Sequence, residues 1–251
     1  MSQKLLLSVS LTVSLAALGG CADFEQNAEA VIQVAQANMA PTQGESVSAT
    51  KDALDKGIGV GIDLLKKDGG FLNSIHRIVI PTELQKATNL ARNAGLGTYV
   101  DGFEKSLNAA AEQAVASAMP IFKDAVSKMT ISDVVTILTG SDNAATSYFK
   151  TTSQKKLVDT FKPIVAKATD RNNVGRLYTQ LVTSVRPVAM AAGVSVPAVN
   201  LDEYVSNKAV DALFIEIGNQ EKKIRENPVE RTTAIMKKVF SYYQGKQKTG
   251  A

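Results

Sequence analysis

From about residue 50 to the end of the chain, apolar side chains recur at the three-to-four-residue spacing that places them on one face of an α-helix. The stretch "ATKDALDKGIGVGIDLLKK" puts Leu54, Ile58, Ile62 and Leu65 on one stripe, with Gly57 and Gly61 beside it. "PTELQKATNLARNAGLG" has a cap signal at Thr82 and a stop at Gly95, around Leu84, Ala87, Leu90 and Ala91. "TYVDGFEKSLNAAAEQAVASAM" aligns Tyr99, Phe103, Leu107, Ala110, Ala111 and Ala114, after which Pro120 breaks or restarts the helix. "TISDVVTILTG" opens with Thr130 and Asp133 in capping-box spacing and closes on Gly140. Only "HRIVIP", residues 76–81, reads as a strand, and one short run makes no sheet. The pattern predicts a single all-α domain of eight or nine helices, several of them short, over residues 50–243. Residues 244–251, "QGKQKTGA", read as a basic disordered tail.

The first fifty residues read differently. Lys4 is followed by fourteen uncharged, mostly apolar residues, 5–18. That is too short for a bilayer span, which takes roughly 20, and it has the form of a secretory signal peptide. Leu18-Gly19-Gly20-Cys21 resembles the lipobox of bacterial lipoproteins, and Cys21 is the only cysteine of the chain. The resemblance implies cleavage between Gly20 and Cys21, with residues 1–20 as the signal peptide. It also implies a diacylglyceryl group on the Cys21 sulfur and further acylation of the new amine, such as palmitate, as a membrane anchor. A thiol suits that role because its thiolate is strongly nucleophilic. In the lipoprotein sorting pattern an aspartate after the cysteine retains the protein at the inner membrane. Ala22 stands there, which points to the outer membrane, facing the periplasm. Residues 21–49 read as the lipidated N-terminus and a tether, with a weak helical pattern over 22–40 and a polar linker "PTQGESVSA" over 41–49.

Charge narrows the partners. With Lys4 removed, 27 basic side chains face 24 acidic ones, a charge of +3. So mild a balance argues against nucleic acid and permits anionic lipid or cell-wall polymer. Aromatic residues are 6% of the chain and tryptophan is absent, so the core is expected to be mostly aliphatic.

Several words of the helical region, in order, resemble the domain-of-unknown-function family 4197, a set of bacterial lipoproteins. They are "GFLN", "LNAAAEQAV", "PIFKDAVSKMTISDVVTILTGSDNAATSYFK", "FKPIVAKAT", "DEYVSNKAVDALF" and "NQEKKIRENPVERTTAIMKKVF". The resemblance spans about 51–240 and assigns no activity.

Catalytic chemistry finds little footing in the sequence. With one histidine and one lipidated cysteine, no His/Cys cluster is expected to hold zinc, and no cofactor is expected. His76 reads as an ordinary surface or capping residue. "GIGVGI" lacks the Lys-Ser/Thr of a phosphate loop, and Gly57 and Gly61 read as close helix packing. Asp202, Glu203, Glu216 and Glu221 share one long helix and read as a solvated charged face. The most suggestive polar stretch is the turn Ser141-Asp142-Asn143. It lies at a helix N-terminus, where free N–H groups can bind an anion. The simpler reading is that these residues cap the helix, with Ala145, Tyr148 and Phe149 packing inward.

The expectation is a lipid-anchored, periplasm-facing helical module that binds a partner or has a structural role in the envelope, and is not an enzyme. Partners in view are the membrane through Cys21, another envelope protein, cell-wall polymer or an apolar ligand. The alternatives are a carboxylate hydrolase of cell-wall glycan and a carrier of apolar ligand between helices.

Overall fold

The structure is a computed structural model that describes residues 40–171 and 173–249. Residues 1–20, Cys21 and most of the tether lie outside the described residues. The described helices fall within one compact unit that begins at Pro41. They are α1 (Gln43–Leu65), α2 (Thr82–Asn93), α3 (Gly97–Val115), α4 (Met119–Ser127), α5 (Ile131–Thr139), α6 (Ala144–Arg171), α7 (Val174–Ala191), α8 (Leu201–Glu226) and α9 (Ala234–Thr249), with a 3₁₀ turn at Pro228–Glu230. Among the described residues there is no strand. The fold is all-α, and none of the described helices is long and apolar enough to cross a membrane.

Helix α8 is the axis. α1, α3 and α6 pack along it, α2 and α7 cover α3 on one flank, and α4, α5 and α9 lie against α1 on the other. The apolar stripes read from the sequence are buried at Leu54, Ile58, Ile62 and Leu65 on α1 and at Phe103, Leu107, Ala110, Ala111 and Ala114 on α3, whereas Tyr99, read on the same face, is exposed. Phe122 of α4 meets Phe149 of α6 and Phe214 of α8 edge to face, with ring centroids 5.9 and 6.2 Å apart. The two helix glycines do what their spacing implied. A Cβ at Gly57 lies 3.4 Å from the Gln220 Cβ, and one at Gly61 lies 3.3 Å from the Glu216 Cβ. A methyl at Gly57 meets ordinary contact and one at Gly61 a tight one, so glycine at both positions lets the backbones of α1 and α8 lie close.

The capping signals hold at α5, where Thr130 Oγ1 accepts from the Asp133 N–H and an Asp133 oxygen accepts from the Thr130 N–H. Two boundaries differ from the reading above. Residues 41–49 are not a linker: Thr42 and Glu45 form a capping box that starts α1 at Gln43, and Ala49 is buried. Lys238 of α9 donates to Glu45 at 2.7 Å, which ties this first turn to the far end of the chain. Nor is the tail loose from 244, because α9 runs on to Thr249. Past α8, Asn227 caps a single 3₁₀ turn at Pro228–Glu230, and α9 starts at Ala234.

Side chains hold the non-helical segments between α1 and α2. Residues 77–81 form neither helix nor turn, and a buried amide takes the place of a neighbouring strand. The Ile78 N–H donates to Asn108 Oδ1, and Asn108 Nδ2 donates to the Ile78 carbonyl, both at 2.8 Å. Tyr204 Oη donates to the Val79 carbonyl at 2.9 Å, and Arg77 pairs with Glu104 at 2.6 Å. In the preceding turn the Phe71 N–H donates to Glu112 Oε1 at 3.1 Å. Burial pushes the Glu112 carboxyl above its ordinary 4.5, against the opposing pull of the Phe71, Gly69 and Leu72 N–H groups.

A raised folded-state value means the fold binds the Glu112 proton more tightly than the unfolded chain does. The stabilisation is complete below pH 4.5 and is lost as pH rises through the higher folded value. Urea midpoints of the wild type and Glu112→Gln should therefore diverge in favour of the variant as pH climbs from 4.5, and a constant difference contradicts this. Independently, Phe149→Ala should cost about 3 to 5 kcal/mol, because its ring is wholly enclosed between α4 and α8.

Candidate functional site

The predicted turn Ser141-Asp142-Asn143 joins the C-terminus of α5 to the N-terminus of α6. A helix start leaves N–H groups that need acceptors, and here they find one from outside the turn. The Ala145 N–H donates to Glu221 Oε1 at 2.9 Å. The Thr146 N–H and Oγ1 donate to Glu221 Oε2 at 2.9 and 2.8 Å. Glu221 stands four residues before Arg225 on α8, and Arg225 returns to it through Nε at 3.1 Å and Nη2 at 2.8 Å. Nη2 also donates to the Ile137 carbonyl at 2.7 Å, in the last turn of α5. The two side chains are 8% and 9% exposed. A carboxylate thus meets the positive end of α6 while a guanidinium meets the negative end of α5.

The capping expectation for the turn is corrected accordingly. Ser141 Oγ bonds only Asn143 Oδ1, at 2.9 Å, and Asp142 makes no hydrogen bond to any described residue. Glu221 is the acceptor, so the anion site of this helix start is filled by the chain itself. The solvated-face reading of Glu216 and Glu221 also falls. Glu216 Oε1 lies 2.5 Å from His76 Nε2, and the His76 side chain, expected at the surface, is 6% exposed. Asp202 accepts from Thr169 Oγ1 at 3.0 Å. The inward packing of Ala145 and Phe149 is as expected, with Tyr148 half-buried beside them.

Two spaces flank the pair. On one side, Thr50, Leu54, Ile137, Ile217, Glu221 and Phe240 line a small apolar cavity of about 30 Å³. It has room for one water molecule. Thr50 Oγ1, wholly buried, is the polar atom there without a hydrogen-bond partner among the described residues. On the other lies a cleft of about 230 Å³, with Asp142, Arg225, Glu226, Phe240, Tyr243 and Gln244 in its walls. Arg225 and Phe240 line both spaces. Of the predicted turn, Asp142 reaches this cleft.

The other cleft residues were not singled out from the sequence. One signal was available: Ile217, Glu221 and Ile224 follow helical spacing on the buried stripe of α8, which is no place for a solvated acid. No group of three or more His, Cys, Asp or Glu among the described residues is placed to hold a metal ion.

The model of the family described as a protein of unknown function, DUF4197, matches residues 40–241. The chain belongs to that family. No curated protein and no solved structure matches it. The DUF4197 match starts at the residue before Pro41, where the compact unit begins, and takes in the whole Glu221–Arg225 junction and all but Tyr243 and Gln244 of the cleft.

Glu221→Ala should lower stability by about 3 to 5 kcal/mol, because it strips the start of α6 and leaves the Arg225 guanidinium buried without its counter-charge. Ser141→Ala and Asp142→Asn should stay within about 0.5 kcal/mol of wild type. Chemical denaturation of the three variants checks the order, and a Ser141 or Asp142 effect as large as that of Glu221 reverses it.

Proposed function

We propose that this chain is a lipid-anchored helical module, facing the periplasm from the outer membrane, that binds an envelope partner through the cleft beside Arg225. The observation that carries the reading is the contrast between a filled interior and this polar recess. The apolar cavity on Thr50 is about 30 Å³, whereas holding even benzene takes about 150 Å³. A carrier of acyl chains needs far more. The buried carboxylates are committed within the fold: Glu104 to Arg77, Glu112 to the turn at Phe71, Glu216 to His76 and Glu221 to Arg225. The cleft is sized for a side chain or a short peptide end rather than for a polymer strand. The Cys21 lipid would hold the domain at the membrane, and durable anchoring takes more than one acyl chain.

One observation favours a second reading. Asp142 and Glu226 share the cleft, and glycan hydrolases act through two carboxylates. Loss of a glycan-cleaving activity in Asp142→Asn or Glu226→Gln is the mark of that reading.

The test is made in cells. A photo-crosslinking residue at Tyr243 should capture a discrete envelope component that the same residue at Lys155, 90% exposed on α6, does not. Cys21→Ser should abolish labelling by an alkyne fatty acid and release the protein from membranes. Equal capture at both positions, or a Ser variant that still labels and pellets, contradicts the proposal.

A further inference from the structure

The chemistry of the cleft walls narrows what it can take. Arg225 contributes to both spaces, but Glu221 lines only the smaller one. The Nε and Nη2 edge of the guanidinium faces Glu221 and the Ile137 carbonyl. Nη1, on the other edge, makes no hydrogen bond to any described residue and is the donor left for the cleft. Nη1 is not among the buried polar atoms left without a partner, so it is open to solvent and free to donate to a ligand acceptor.

The acids complete the picture. The Arg225 charge is matched by Glu221, and neither Asp142 nor Glu226 lies within ion-pair distance of it. Asp142 is unpaired among the described residues. Glu226 has only Lys222, at 3.8 Å on the exposed surface, which offsets little of its charge. Two carboxylates therefore set the potential of the cleft and draw a cation. Phe240 and Tyr243 supply apolar and aromatic wall, on which an ammonium also gains. A bare carboxylate meets repulsion here. A bare amine leaves Nη1 to water and makes no use of it.

Resting on the cleft as the binding face, we propose that it takes an α-amino acyl end: an ammonium group beside a carbonyl oxygen. The ammonium sits between Asp142 and Glu226, the carbonyl accepts from Arg225 Nη1, and a small side chain lies against Phe240 and Tyr243. A peptide N-terminus and a free amino acid both carry this chemistry.

Titration of the full chain in detergent, followed through the Tyr243 ring resonances, separates the cases. Alanyl-alanine amide should bind, and its N-acetylated form should not. The double variant Asp142→Asn/Glu226→Gln, changed at two exposed positions, should weaken binding by about tenfold or more. Alanine binding as tightly as the dipeptide amide supports the inference with a free amino acid as the source. A much tighter dipeptide supports it with a peptide end. Equal binding of the acetylated form, binding of propionate, or Tyr243 resonances unmoved by millimolar dipeptide amide overturns it. If capture at Tyr243 in cells persists in that event, the cleft remains the binding face and only the ligand class falls.

Discussion

The buried ion pair between Glu221 and Arg225 organises one end of this fold. Three helices meet there, and each supplies what another lacks. α6 begins with N–H groups that its own turn does not satisfy. α5 ends on a carbonyl that needs a donor. α8 carries the acid and the base, four residues apart, that answer both. A buried ion pair is weak support for stability when it only replaces apolar packing. This one also satisfies the Ala145 and Thr146 N–H groups, the Thr146 hydroxyl and the Ile137 carbonyl, so removing either partner exposes several polar groups at once. The same pair sets the chemistry outside it, since the cleft inherits an arginine whose charge is already matched.

The same device recurs at other helix ends and connections. Arg231, 1% exposed, stands just past α8, and burial pulls its guanidinium below its ordinary range. It donates through Nε to the Ile224 carbonyl at 2.9 Å and through Nη2 to the Arg225 carbonyl at 2.7 Å, and its outer nitrogens reach Ser241 and Gln244 of α9. A cation is favourable at the end of a helix, where the carbonyls present partial negative charge. Arg231 thereby couples the end of α8 to α9 and so to the wall of the cleft. Asn108 and Glu112, both on α3, do similar work for residues 77–81 and the turn before them. In a protein with no strands among the described residues, buried polar side chains fix how the helices connect.

This also explains what was legible in the sequence. Periodicity is a local property, so the stripe of α1, most of that of α3, the Gly57–Gly61 contact and the Thr130 cap could be read directly. Thr42 and Glu45 were readable by the same rule as Thr130 and Asp133, but the glycine and serines around them spoke more loudly for a linker. The long-range contacts were not legible. Nothing near residue 145 announces that its cap comes from residue 221, and nothing near His76 announces Glu216. Glu221 gave the one local hint, an acid inside an apolar stripe. The family word "NQEKKIRENPVERTTAIMKKVF" holds Glu221, Arg225 and Arg231 together, so the resemblance covered the junction without revealing its geometry.

Amide hydrogen exchange at Ala145 and Thr146 tests the central claim most directly. A helix start normally frays, and its first amides exchange fast. If Glu221 caps α6 from α8, both amides are protected in the wild type nearly as well as the core of α6, and Glu221→Gln lowers their protection before that of Phe149. Rapid exchange at both positions in the wild type, or protection indifferent to Glu221, contradicts the account.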